Sequence, residues 1–339
     1  MAAVPGGARG VNAQGVTVSA HAGSATWLEC NTWDRPRATT EELLDRKAGR
    51  TISAVVLALD EDWPVAQAVG SAVTLAGSLL DEIVVVVEPG SYGAAVHDAA
   101  HSGVRVETPE SALPGVPLRP GRGEVLWRSL AATDGDVVAV VDAALADRVA
   151  GVLARLVEPM LLVPDLHLVL GYHPQAGDDP EPDGSAVGTR LTELLVRPLI
   201  AALCPALAGV IQPLGGEFAG TRELLRTIPF APGHGVGIGM LVDAAARFGI
   251  DAIGQVDLGP HGWADEASPD AAAVEVGSAA RQVVATLLGR LGIEDSGAPS
   301  TGFLLDDDGP TLTRTYPVTD DRPPLSTIMG ELLAGGMRR

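Results

Sequence analysis

Short apolar runs rich in β-branched residues alternate with amphipathic stretches through the first half of the chain. Thr51 to Leu59 is one continuous apolar run, the pattern of a strand buried on both faces of a parallel sheet. Asp81 to Val87 is a second such run, Val104 to Thr108 a shorter third, and Gly135 to Val141 a fourth that ends on Asp142. Between them, Thr39 and Thr40 followed by Glu41 and Glu42 mark a capped helix start, and that helix should end near Gly49. Helical spacing also covers the stretch up to Leu80, Gly93 to Ser102 and Glu124 to Ala132. Leu113 to Gly123 is dense in Pro and Gly and predicts a loop.

The second half is less regular. Asp165 to Tyr172 predicts a strand, and His173 to Gly188 a polar, acidic loop. Thr192 to Leu203 is helical, with Pro198 expected to kink it. Gly209 to Phe218 contains a strand broken by Gly215 and Gly216. A helix at Val236 to Phe248, a strand at Asp251 to Leu258 and a helix at Val274 to Leu291 follow. After Asp295 the pattern predicts a loop and then a docking segment.

Strands alternating with helices imply an α/β fold, Rossmann-like, with a mostly parallel sheet flanked by helices. The expected organisation is a disordered tail at 1–25 and one domain in two halves, 26–150 and 151–295, with a C-terminal extension at 296–339. Ligands of such sheets sit beyond the carboxyl ends of the strands, which selects Leu59 to Asp62, Glu88 to Ser91 and Asp142 to Leu145.

Composition narrows the partners. A formal net charge of −20 argues against nucleic-acid backbones and broad membrane surfaces, which reward Lys and Arg. Lys47 is the only lysine, so a phosphate here would be held by arginine. Cys30 and Cys204 match no metal or redox spacing. No apolar run reaches the length of a membrane span, and a soluble, cytoplasmic protein is expected.

Three long stretches carry a resemblance: Val116 to Thr133, Arg190 to Leu194 with Arg197 to Leu199, and Gln212 to Leu214 through Phe230 to Gly233. Together they resemble the glucosyl-3-phosphoglycerate synthases, retaining glycosyltransferases of GT-A fold, over roughly Trp33 to Arg290. The resemblance implies transfer of glucose from an NDP-glucose to 3-phosphoglycerate or a related acid. It also implies a divalent metal, Mg or Mn, and a homodimer, or a heterodimer with a related chain.

Carried over residue by residue, the nucleoside-cupping loop falls on Leu57, Ala58, Leu59, Asp60 and Glu61, and the second nucleotide loop keeps Ser91. A Gly-Lys-Gly of the family appears as Gly121, Arg122 and Gly123, where the glycines would let backbone approach a diphosphate and Arg122 would supply charge. The acceptor motif at a helix start falls on Thr189, Arg190, Leu191 and Thr192, although Arg190 could equally pair with Glu193. The sugar-facing motif falls on His234, Gly235, Val236 and Gly237, with Gly237 where the family has a carboxylate. The Asp-X-Asp that ends the fourth strand becomes Asp142, Ala143 and Ala144. The family's metal ligands therefore fall on Ala144 and Trp263, which cannot ligate, and His261 is the nearest replacement. Two readings follow: a transferase that neutralises its leaving group with Arg122 and Arg190, joined by His234 or His261, or a catalytically silent member serving as a ligand-binding or partner subunit.

Overall fold

The computed structural model describes residues 10–11, 17–18, 24–60, 63–87, 103–174, 191–260, 269–306, 309–316, 318 and 320–336. Of the tail expected at 1–25, it describes a short antiparallel pair, β1 (Gly10–Val11) with β2 (Thr17–Val18), and the start of a helix at Ser24–Asn31. The helix expected at Gly93 to Ser102 lies outside the described residues.

An eight-stranded sheet forms the centre. Its strands in chain order are β3 (Thr32–Trp33), β4 (Ile52–Ala58), β5 (Glu82–Val87), β6 (Arg105–Glu107), β7 (Val137–Asp142), β8 (Leu168–Tyr172), β9 (Phe218–Thr221) and β10 (Ile253–Asp257). Across the sheet they run β3-β10-β8-β9-β7-β4-β5-β6. All neighbours pair parallel except β9, which is antiparallel to both β7 and β8.

All seven residues of β4 are buried, because helices cover both faces. Val55, Leu57, Val84, Val86, Val138 and Val140 belong to one core with Leu126, Leu241 and Val283. Ala54, Val56, Val85, Ala139 and Val141 belong to the other, with Val69, Leu153 and Met160. Alternate residues of one strand thus face opposite layers.

The helix starts follow their caps. Thr39 and Glu42 form a reciprocal capping box at the head of the Thr40–Lys47 helix. A π-helical turn, Thr192–Val196, leads into the Arg197–Leu203 helix with Pro198 in its first turn. The kink expected at Pro198 is thus a widened turn, closed by a bond from Arg197 N–H to the Thr192 carbonyl.

Two expectations are corrected. The strand expected within Gly209 to Phe218 lies later: Gly215 N–H turns back to the Gln212 carbonyl, and the strand occupies Phe218–Thr221. Gly215 lies so close to strand β8 that a Cβ there would stand 2.7 Å from the Gly171 carbonyl oxygen, which leaves room only for a glycine turn. Second, the segment after Asp295 is not a plain loop. It forms an antiparallel hairpin, β11 (Ser300–Asp306) with β12 (Gly309–Thr315), before the Leu325–Gly336 helix.

The docking segment is Asp321 to Leu325. Arg322 exchanges backbone hydrogen bonds with Phe230 and its guanidinium binds the buried Glu124 carboxylate at 2.5 and 2.7 Å. Arg128 binds the same carboxylate at 2.6 Å and donates to the carbonyls of Pro109, Leu113, Val116 and Pro117. The proline-rich loop, which has few backbone donors of its own, is thereby tied down by two arginines.

Candidate functional site

The reversed strand decides what meets at the sheet's carboxyl edge. Because β9 runs against its neighbours, its first residues lie beside the last residues of β7 and β8. Glu217, just ahead of β9, therefore joins Asp142 at the end of β7 and His173 just past β8. Arg122 comes from the opposite side as the first residue of the Arg122–Ala131 helix, two residues earlier than expected.

The Arg122 Nη2 donates to Asp142 Oδ1 at 2.9 Å and to the Gly216 carbonyl at 3.1 Å. His173 Nε2 stands 3.5 Å from Glu217 Oε2, and His173 Nδ1 lies 2.9 Å from the Gly259 carbonyl oxygen. Gln212 Oε1 accepts the His173 backbone N–H at 2.9 Å. Burial alone would weaken the Arg122 charge, but Asp142 and then Glu217 outweigh it and raise its proton affinity. Burial pushes the Asp142 carboxyl up; Arg122 opposes this, Glu217 adds to it, and the net direction is upward. His173 follows the same logic: burial disfavours its cation, the Glu217 hydrogen bond and charge favour it, and its pKa is raised.

The glycines at 121 and 123 sit in close packing. A Cβ at Gly123 would lie 2.0 Å from the Ala231 carbonyl oxygen, and Gly121 has φ 103° with Gly233 backbone 3.1 Å from any added Cβ. The loop carrying Arg122 is thus pressed directly onto the 231–233 segment. Gly233, Gly235 and Gly239 in turn take the side chains of Gln282 and Thr286 from the Pro269–Arg290 helix.

The remaining expected residues divide. Leu57 and Ala58 are buried in β4, and Val236 in the core. Leu59 is half-buried and Asp60 exposed at the strand's end, Ala143 is buried and Ala144 half-buried. His234 is exposed, its backbone N–H donating to Gln282 Oε1 at 2.9 Å. Gly237 faces Leu214 and the Pro213 carbonyl, 3.4 Å from an added Cβ. Leu191 and Thr192 are buried, and Glu193 pairs with Arg197 at 2.6 Å. Glu61, Ser91, Thr189, Arg190, His261 and Trp263 lie outside the described residues.

Sequence reasoning passed over His173 and Glu217. His173 follows the end of β8, the position the carboxyl-end rule selects, in the less regular second half of the chain. Glu217 became visible only with the reversal of β9.

The described edge offers few ligands to a hard divalent ion. Asp142 is committed to a guanidinium, Ala144 offers a methyl group, and among the described residues no group of three His, Cys, Asp or Glu could hold a metal. The loop after β10 is held instead by Arg148, which donates to the carbonyls of Leu258 and Pro260 at 2.7 and 2.8 Å.

A mostly parallel α/β sheet with one reversed strand and a charged carboxyl edge defines a GT-A type fold. Comparisons agree. The chain is 45% identical over 302 residues to the glucosyl-3-phosphoglycerate synthase of Mycolicibacterium smegmatis, covering 89% of this chain and 98% of that one. It is 46% identical over 309 residues to that of Mycolicibacterium paratuberculosis, covering 92% of the relative. The crystal structure of the Mycobacterium tuberculosis enzyme with Mn²⁺, UDP and glucosyl-3-phosphoglycerate superposes with a TM-score of 0.76 at 43% identity, over 88% of this chain and 99% of the other. No protein-family profile matches the sequence. The chain belongs to the glucosyl-3-phosphoglycerate synthase family. Among the described residues no helix is long and apolar enough to cross a membrane.

Proposed function

We propose that this chain is a retaining glucosyltransferase that moves glucose from a nucleoside-diphosphate-glucose to the hydroxyl of 3-phosphoglycerate or a related phosphorylated acid. The observation that carries this reading is the Arg122–Asp142 pair at the carboxyl end of β7, at 2.9 Å, the edge where such sheets bind ligands. A related structure contains Mn²⁺, UDP-glucose and phosphoglyceric acid, and this chain covers 98% of that one. In the transfer, the acceptor oxygen bonds to the anomeric carbon while the bond from that carbon to the diphosphate breaks. The acceptor proton leaves with the diphosphate.

Asp142 would face the nucleoside, and Arg122 would stabilise the departing diphosphate electrostatically. Arg190 and Thr192 would hold the acid at the head of the second-half helix. Relatives have been crystallised with Mn²⁺ or Mg²⁺. At the end of β7, Asp142 already bonds Arg122 and Ala144 offers only a methyl group. The test is product formation from a panel of NDP-glucoses with 3-phosphoglycerate and related acids, with and without Mg²⁺ or Mn²⁺. Absence of glucosylated product from every pair would reject the reading.

A second reading draws on a specific observation: Ala144 and Gly237 leave the described edge without two carboxylates that the family resemblance implies. On that reading the chain is a silent subunit that binds nucleotide or associates with a related, active chain. Ordinary turnover by the purified chain would dispose of it.

A further inference from the structure

One imidazole joins the ends of three strands at the carboxyl edge. His173 stands just past β8, with Nδ1 2.9 Å from the Gly259 carbonyl oxygen beyond β10 and Nε2 3.5 Å from Glu217 Oε2 ahead of β9. The backbone around the ring is fixed: Gly171 N–H donates to the Glu217 carbonyl, Leu258 N–H to the Tyr172 carbonyl and His173 N–H to Gln212 Oε1, each at 2.9 Å. The sheet therefore places the ring between two oxygens that can only accept. A neutral imidazole has one N–H and can donate to one of them; the imidazolium donates to both. The two side chains are 6% and 7% exposed, so little water is at hand to replace either contact.

Glu217 also belongs to the edge assigned above to the nucleotide. Its charge acts on Arg122 and Asp142, which bond each other at 2.9 Å. Formally, Arg122, Asp142, Glu217 and His173 carry no net charge when the imidazole is protonated and one negative charge when it is not. From the turn after β7, Arg148 opposes the imidazolium by like charge, while its guanidinium donates to the Leu258 and Pro260 carbonyls. Burial also works against the cation, and the Glu217 contact outweighs both.

We propose that His173 is a positioning residue for the nucleotide-sugar site: as an imidazolium it straps the loop after β10 to Glu217 and cancels that carboxylate's charge, so that a diphosphate meets a neutral edge. The inference rests on the nucleotide-sugar reading above and adds how pH governs that site. When the proton leaves, the ring holds one of its two oxygens, and the edge regains a negative charge that repels the ligand. Binding is then strongest with His173 protonated and weakens as pH rises through its titration.

The experiment is calorimetric titration of UDP-glucose, whose diphosphate carries no proton that titrates in the range, into the full chain at fixed Mg²⁺ between about pH 6 and 9. Affinity should fall about threefold to tenfold across that range, the effect of one charge near the ligand. By reciprocity, saturating UDP-glucose should raise the midpoint of the His173 ring titration by about 0.5 to 1 in pH, followed by NMR on the signal absent from His173→Gln. His173→Gln should bind at the parent's high-pH affinity throughout. Glu217→Gln should bind without pH dependence and at least as tightly as the parent at low pH, and it carries the test if the histidine variant does not fold. A purely structural histidine would change affinity by one factor at every pH. Parent affinity constant within about twofold across the range would overturn the proposal, as would an unaltered pH response in both variants. UDP-glucose binding with this pH response but without transfer to any acid would reject the transferase reading and leave this one standing. No binding at any pH would overturn both.

Discussion

Glu124 is the anchor of the loop that carries Arg122, and replacing it with glutamine isolates its charge. The carboxylate is 2% exposed and takes three hydrogen bonds, from Arg128 Nε at 2.6 Å and from Arg322 Nε and Nη2 at 2.5 and 2.7 Å. Glutamine keeps the volume and one oxygen, but it turns an NH₂ group toward a guanidinium and leaves two buried cations with no counter-charge. Breaking a buried ion pair by neutralising one partner costs about 3–5 kcal/mol. At roughly 2 cal/mol/K of unfolding entropy per residue, a chain of 339 residues loses on the order of 1.4 °C of Tm per kcal/mol, so the expected fall is about 4–7 °C. Arg322→Met leaves the Glu124–Arg128 pair in place and should cost about half as much. The double variant should cost less than the sum of the two. Urea denaturation and differential scanning calorimetry at neutral pH measure both quantities. A loss under about 1 kcal/mol for Glu124→Gln would refute the network's role, since any surface charge change reaches that size.

Three further outcomes follow from the same geometry. Because His173 is raised from its usual value of 6.5, its pairing with Glu217 stabilises the fold fully below that pH and is lost as pH rises through the folded-state value; His173→Gln should remove this component from the urea midpoint measured between about pH 6 and 8, and an unchanged pH profile would count against the pair. Asp243, pushed to about 6 by burial despite its Arg290 partner, should titrate there by carboxyl NMR; a value near that of a free aspartate would contradict its burial. Gly123→Ala puts a Cβ 2.0 Å from the Ala231 oxygen and should cost about 3 kcal/mol together with UDP affinity. Gly151→Ala, on an exposed helix position with nothing within 4 Å, should instead stabilise by about 0.5–1 kcal/mol, and equal effects for the two would refute the packing argument.

Much of the scaffold is legible because its signals are local or periodic. The runs that became β4, β5 and β7 are long, β-branched and bounded by breakers, and burial on both faces is what an unbroken apolar run means. The capping box at Thr39 and Glu42 needs no tertiary context. The hairpin after Asp295 was missed because its segments, Ser300–Asp306 and Gly309–Thr315, mix polar and apolar residues without clean alternation. The docking of Arg322 on Glu124, nearly two hundred positions apart in sequence, has no local signature at all.

The site was legible in a different way, by which strands end where. Asp142 could be assigned to the edge because β7 is parallel to β4, and the direction of a strand within a run of βαβ units is fixed by its handedness. Glu217 could not, because a strand of four residues carries no mark of its direction. Had β9 been parallel, Glu217 would sit at the opposite edge, and Asp142 and Arg122 would have formed a neutral pair by themselves. Reversing that strand brings a second carboxylate to the carboxyl edge, and a buried carboxylate there requires a cation beside it. His173 meets that requirement, at 3.5 Å. One antiparallel strand thus sets the charge of the cluster, and with it how much of the Arg122 guanidinium is left for a ligand.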